Sequence, residues 1–268
     1  MRIVSTTCSN TEIVCALGCA HFLVGVDRHS DFPVDVVARL PRVGSDLQID
    51  VEAVRALRPD LVLASLTVPG HERVVAALNA AGLRVVAPEP ISVADTCRDI
   101  RDIASLLGVR ERGEVVAREL EACLATPDPK PPLPPGTITR APRILVEWWP
   151  KPVIVPGRQS WVTDLLRAAG AVNPWGELDV KSTPVDDAAV VAAAPDAVVI
   201  AWCGVEPRNY KPEQVYRRAA WAEVPALRDR QVHAIPEAFL GRPGPRLKLG
   251  LAALRRLVAD WERRRTVS

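Results

Sequence analysis

Aromatic residues are scarce in this sequence of 268 residues: there are twelve, seven of them Trp, beside one Met and four His. No segment reaches the roughly 18 uninterrupted apolar residues of a bilayer-spanning helix, so the chain is not expected to be membrane-embedded. An excess of one charge is lacking too, since 34 Lys and Arg stand against 32 Asp and Glu. The basic face that nucleic acid requires is therefore not expected. The densest basic run, Arg263 to Arg265, reads as a solvated end. GxSxG, the P-loop, HExxH and GxGxxG are all missing, and no enzyme is expected from the motifs. The four His, at 21, 29, 71 and 233, are scattered. Cysteines at 8, 15, 19, 97, 123 and 203 form neither a CxxC pair nor a dense framework, which predicts thiols in a reducing compartment. "MRIVSTT" leads directly into an apparent strand. The expectation is a cytoplasmic chain, or a periplasmic or extracellular one whose leader has been removed.

What is present is a repeated alternation of strands and helices. "RIVSTT", "FLVGVD", "DLVLAS" and "LRVVAP" are short apolar, β-branched runs. Between them lie helical patterns, among them "CSNTEIVCALG", where Ser9 and Glu12 suit a capping box, "DVEAVRALRP" and "HERVVAALNAAG". Residues 92–126 carry helical periodicity without proline up to Ala125 and read as one long helix, with Gly108 or Gly113 as bending points. A Pro-rich connector at 127–142 follows, with seven Pro among the seventeen residues of "TPDPKPPLPPGTITRAP". Alternation then resumes to the end.

The halves echo each other. "VEAVRALRPDLVLAS" corresponds to "VDDAAVVAAAPDAVVIA", each a helix ending at a Pro-Asp that opens a buried strand. The predicted fold is α/β, with two similar lobes at 1–91 and 143–268, mostly parallel sheets, one long bridging helix and a ligand cleft between the lobes.

Within the second lobe, "EWWPKP" places two Trp side by side. Strand neighbours point to opposite faces, so Trp148 and Trp149 cannot both enter one core. Trp148 is expected to face a ligand and Trp149 to pack in its lobe.

The order of "STTCSNTEIVCALG", "GVDRHSDFP", "VEAVRALRPDLVLAS", the long helix and "RILVEWWPKPVIVPGRQSWVTDLLRAAGAVN" resembles the helical-backbone substrate-binding proteins of ABC importers, closest to the vitamin B12-binding branch. That resemblance covers nearly the whole chain. It implies a corrinoid (cobalamin or cobinamide) or similar metal chelate as ligand, with no resident cofactor and no metal site of the protein's own. Carried over by position, it implies ligand contacts at Cys8, Ser9, Asn10, His29, Ser65, Trp148 and Arg246. Trp149, Trp202, Phe239 and Arg242 are further candidates near the predicted lobe edges. A lone His such as His29 is more often a surface residue than a ligand, and Trp202 and Phe239 are equally suited to a core.

Three aromatics expected around a B12 site fall here on Asp46, Ser65 and Ser182, so the pocket is not that site unchanged. The resemblance also implies a permease partner, docked through Glu52 in the first lobe. In the second lobe the docking glutamate's place is taken by Ala188, leaving Asp186 and Asp187 as substitutes. The chain is expected to be a monomer. The alternative function is a cytoplasmic enzyme or chaperone acting on a corrinoid or haem-like chelate.

Overall fold

The computed structural model describes residues 1–125 and 140–266; most of the Pro-rich connector read at 127–142 lies outside the described residues. Two compact units divide the chain: Met1–Leu120 with Pro243–Pro245, and Glu121–Arg242 with Arg246–Ser268. The division thus falls inside a helix rather than at residue 91, and a tripeptide from near the C-terminal end belongs to the first unit.

The first unit is built on a parallel four-stranded sheet in the order Leu23–Val26, Ile3–Ser5, Leu61–Leu63, Val85–Val86. Ile3–Ser5 and Leu61–Leu63 are buried at every residue, as expected for strands covered on both faces. Val4, Val54, Val62 and Leu78 form the centre of its core. The helix Val51–Ala56 starts where the side chain of Asp50 accepts the Ala53 N–H at 2.9 Å. The helix Cys8–Ala16 begins earlier than expected: Ser9 lies inside it, Thr7 holds the N-cap position without a side-chain bond, and the anticipated capping box is not formed.

The second unit has a parallel sheet, Val232–Ala234, Ala197–Ile200, Ile144–Glu147. Beside it is an antiparallel one, Ser182–Val185, Val153–Pro156, Trp149–Pro150. Prolines at 150, 156 and 184 made this second sheet hard to read as strand, because proline is confined to edges and bulges.

The internal echo holds at the level of hydrogen bonds. In the first unit Arg58 adopts φ 46°, Pro59 follows, and Asp60 accepts the Arg2 N–H at 2.7 Å while its own N–H donates to Arg2 O at 2.8 Å. In the second, Ala194 adopts φ 43°, Pro195 follows, and Asp196 accepts the Arg143 N–H at 2.8 Å while donating to Arg143 O at 2.7 Å.

The segment expected to be one long helix is two. Val93–Leu106 is capped by Ser92, which accepts the Asp95 N–H at 3.0 Å, and Arg110–Leu124 follows. Gly108 sits between them at φ 72°, a left-handed conformation that ends the first helix. The second helix returns along the first: Arg101 Nε donates to Glu114 at 2.7 Å, and the Cys97 thiol lies 3.7 Å from Ala117 O. A bend was anticipated at Gly108, but the outcome there is a reversal.

On the first of these helices, Asp99 Oδ2 is buried without a hydrogen-bond partner among the described residues. Burial pushes its carboxyl up to about 7, helped by the charges of Asp95 and Asp102 and opposed by Arg98. Its unfolded value is about 3.9, so folding takes up a proton between the two. The stabilising contribution is complete below about pH 4 and is lost as the pH rises through about 7. Asp99→Asn should therefore raise Tm at about pH 8 and change it little at about pH 4. Equal shifts at both pH values in thermal melts would exclude charge as the cause.

Candidate functional site

In the second unit the strand Ile144–Glu147 is buried throughout and ends on a carboxylate with no exposure at all. Glu147 is held on three sides: Trp202 Nε1 donates to it at 2.8 Å, and Arg218 donates through Nη1 at 2.5 Å and Nη2 at 2.9 Å. The Arg218 guanidinium in turn covers the Trp221 ring at 4.3 Å, and Trp221 Nε1 donates to Asp187 at 2.6 Å. A fork-shaped cation matched to a carboxylate is what makes so deep a charge tolerable.

Trp148 comes next, fixed by its backbone from both sides. Its N–H donates to Ile154 O at 2.9 Å, and its carbonyl accepts the Cys203 N–H at 3.1 Å. The ring is half-buried, 6.3 Å from that of Trp161 and tilted by 34°. Trp161 is a core residue whose indole donates to Leu240 O at 2.6 Å; the Trp148 indole N–H has no partner among the described residues.

Trp149 is 43% exposed, so the expectation that it packs in the lobe is corrected. It heads an antiparallel pair, Trp149 opposite Ile154 and Pro150 opposite Val153, whose outer face carries the ring. Trp202 is corrected in the other direction: it is 4% exposed, packs in the core with Tyr210 and Trp221, and donates to Glu147. Phe239 is half-buried under the Arg246 guanidinium, 5.6 Å from the ring centre. Arg242 donates to Glu237 at 3.0 Å.

In the first unit the loops beyond the carboxyl ends of the strands gather around Asp27, which is fully buried. It accepts the Ser30 hydroxyl at 2.5 Å and the His29 N–H at 2.8 Å, and the Cys8 thiol points to it at 3.8 Å. Burial pushes the Asp27 carboxyl up, opposed by the bonds from Ser30 and His29. Cys8 and His29 are thus brought together by one carboxylate, with His29 exposed and Ser9 half-buried nearby in sequence.

Asn10 is a correction: it is 3% exposed and its amide donates to Ala64 O at 2.6 Å, a bond between the first helix and the residue that follows the strand Leu61–Leu63. Ser65 is 8% exposed and shares a hydrogen bond with Thr67 at 2.9 Å. Among the described residues no three His, Cys, Asp or Glu side chains assemble to hold a metal. Among the described residues no disulfide joins any of the six cysteines.

Of the expected docking carboxylates, Glu52 is exposed and pairs with Arg55 at 3.1 Å. Asp186 caps its helix by accepting the Ala189 N–H at 2.8 Å, and Asp187 accepts from Trp221; both residues are exposed.

Sequence reasoning missed the Glu147–Arg218 pair, although an acid closing the apolar run "ILVE" signalled it. It also missed the bond between His71 and Asp46.

A family model described as "Periplasmic binding protein" matches residues 3–238, and the chain belongs to that family. It is similar to the ABC transporter substrate-binding lipoprotein YvrC of Bacillus subtilis (strain 168), described as uncharacterized, with 27% identity over 94% of this chain and 78% of that one. It is also similar to the vitamin B12-binding protein of Vibrio vulnificus (strain YJ016), with 24% identity over 98% and 92%. Among solved structures, the periplasmic heme-binding protein RhuT from Roseiflexus sp. RS-1 superposes with a TM-score of 0.80 and 28% identity, over 97% of this chain and 98% of that one. The fold is the two-lobe α/β one of this family, and the protein is a solute-binding protein of the ABC-importer type.

The buried ion pair gives a direct test. Arg218→Met strands a carboxylate in the core and should cost about 3–5 kcal/mol in denaturant unfolding. Adding Glu147→Gln removes the stranded charge and should recover part of that loss; a double variant as unstable as the sum of the singles would refute the coupling.

Proposed function

We propose that the solute is a planar metal chelate of the corrin or porphyrin class, delivered to an ABC permease. The observation that carries this reading is Trp148. The core of its own unit is already filled by Trp202, Trp221 and Trp175. Trp148 stays half-exposed at the carboxyl end of a parallel sheet, its backbone bonded on both sides. Ligands of such sheets bind beyond the carboxyl ends of strands, and a broad ring with a polar rim suits an indole wall with cations nearby. Trp149 and the Arg246–Phe239 pair supply further ring and cation surface in the same unit. The names of the relatives support the same class, one being a B12 binder and one a haem binder.

Delivery to a permease requires a protein outside the cytoplasmic membrane, a reading that the substrate-binding lipoprotein among the relatives supports. Glu52, with its side chain 77% exposed, is the docking carboxylate of the first unit, and Asp186 and Asp187 are the exposed acids available in the second.

Absorbance titration of the purified protein with haem, cobinamide and cobalamin tests the class, and a stoichiometric complex with none of them would sink it. Trp148→Ala should weaken the bound chelate by about tenfold or more with little change in stability, since a half-exposed ring leaves no closed cavity. Trp202→Ala should instead lose about 3–5 kcal/mol of unfolding free energy. Loss of stability in both variants with unchanged affinity would remove Trp148 from the site.

A further inference from the structure

We propose that Asp187 is a positioning residue for Trp148, acting through Trp221, Arg218 and Glu147, so that a permease cation paired with its exposed carboxylate loosens the hold on the solute; this rests on the chelate reading above. Every group involved belongs to the second unit.

Asp187 opens the helix Asp187–Ala193, next to Asp186, which caps it. The two acids carry the same charge and both are exposed, but they differ in what they hold. Asp186 accepts the Ala189 N–H, a bond within its own helix. Asp187 accepts Trp221 Nε1 at 2.6 Å from 34 residues away, and Trp221 has no exposure at all. An exposed carboxylate is thereby joined to the core.

From there the contacts are consecutive. The Arg218 guanidinium lies 4.3 Å from the centre of the Trp221 ring, and both its Nη atoms donate to Glu147. A negative acceptor on the indole N–H raises the electron density of the ring and strengthens its attraction for the cation above it. A fork of two donors leaves the Glu147 carboxylate little freedom to turn. Glu147 then reaches Trp148 on two sides. It precedes Trp148 in the chain, and it accepts the indole of Trp202, whose neighbour Cys203 donates its N–H to the Trp148 carbonyl.

The side chains of Glu147 and Arg218 are 0% and 15% exposed, so charge acts here with little screening. Asp187 is the end of the chain of contacts that is open to a partner. A cation that draws its carboxylate outwards competes with the indole for it, and Trp148 loses part of the orientation that favours binding. Linkage makes the effect mutual: a bound chelate weakens the pairing at Asp187 by the same factor. Release at a permease requires lower affinity in the docked state than in the free one, which is the sign of this coupling.

The test uses the full chain, with haem and cobinamide as probes. Asp187→Ala should weaken the bound probe by about fivefold. Asp186→Asn, which removes an equal charge one residue away and keeps a capping side chain, should leave it unchanged. Trp221→Phe keeps a ring without the N–H and should weaken the probe as Asp187→Ala does; adding Asp187→Ala to it should change nothing further, a non-additivity that a merely structural role would not produce. With no probe present, hydrogen exchange at the Trp148 and Cys203 amides should quicken in Asp187→Ala and match the wild type in Asp186→Asn. Equal affinities for the wild type and Asp187→Ala, or equal losses for the two acids, would overturn the coupling and leave the chelate reading standing. Unchanged exchange in Asp187→Ala overturns it whether or not a probe binds. If the wild type binds neither probe, the chelate reading falls and the positioning role falls with it.

Discussion

A carboxylate at the mouth of a strand sets the register of each unit. Asp60 and Asp196 each accept a backbone N–H from the residue that opens their unit's first strand, and each returns a bond from its own N–H to the same residue's carbonyl. A parallel pair has no tight turn to fix its register, so such an anchor decides which residues lie opposite one another. With Ile3 set against Leu61 and Ile144 against Ala197, the strand ends fall where the loops of Cys8 and Trp148 begin. In the second unit the anchor is reinforced. Burial opposes ionisation of Asp196, but bonds from Arg140 and the Arg143 N–H outweigh it and hold its carboxyl below the usual range. Arg140 and Arg265 both lie over Trp261 while reaching this carboxylate, which ties the last helix to the sheet.

At the opposite end of the same strand, Glu147 gives the second unit a polar floor. Its three hydrogen bonds engage Trp202 and Arg218, from elements distant in sequence, and the chain emerges from that floor as Trp148. Under the proposed reading of Trp148 as a ligand wall, stiffness there bears on affinity. A ring that is already oriented loses little freedom when a ligand arrives, which is where preorganised sites gain affinity. The first unit reaches the same end by a different route, with Asp27 collecting a thiol, a hydroxyl and a backbone N–H.

Much of the fold could be read from local pattern. The apolar runs became strands and the matched Pro-Asp segments proved equivalent in detail, whereas the cap expected at Ser9 did not form and Asp50, Ser92, Ser160 and Asp186 cap helices where none had been read. What escaped reading depended on contacts across the chain. Periodicity in residues 92–125 is helical on both sides of Gly108, and only the left-handed backbone there turns a rod into a hairpin. Strand alternation could not apportion Trp148 and Trp149, because Trp148 lies in a bend between two strands, and Trp202 and Trp221 arrive from further along the chain to fill the core. Asp46 and His71 are 25 residues apart, and neither carries a local signal of the bond between them.

The division of the chain also bears on how this architecture can be taken apart. Neither unit is a continuous stretch: the first is closed by Pro243–Pro245, where Pro243 and Gly244 are buried and Gly244 packs near Ile13 and Ser9. A gene fragment ending at Leu120 would encode the first sheet without the tripeptide that covers part of its leading helix. Recombination between relatives therefore cannot exchange the halves as simple cassettes; an intact first half has to carry a short peptide from the far end of the sequence with it.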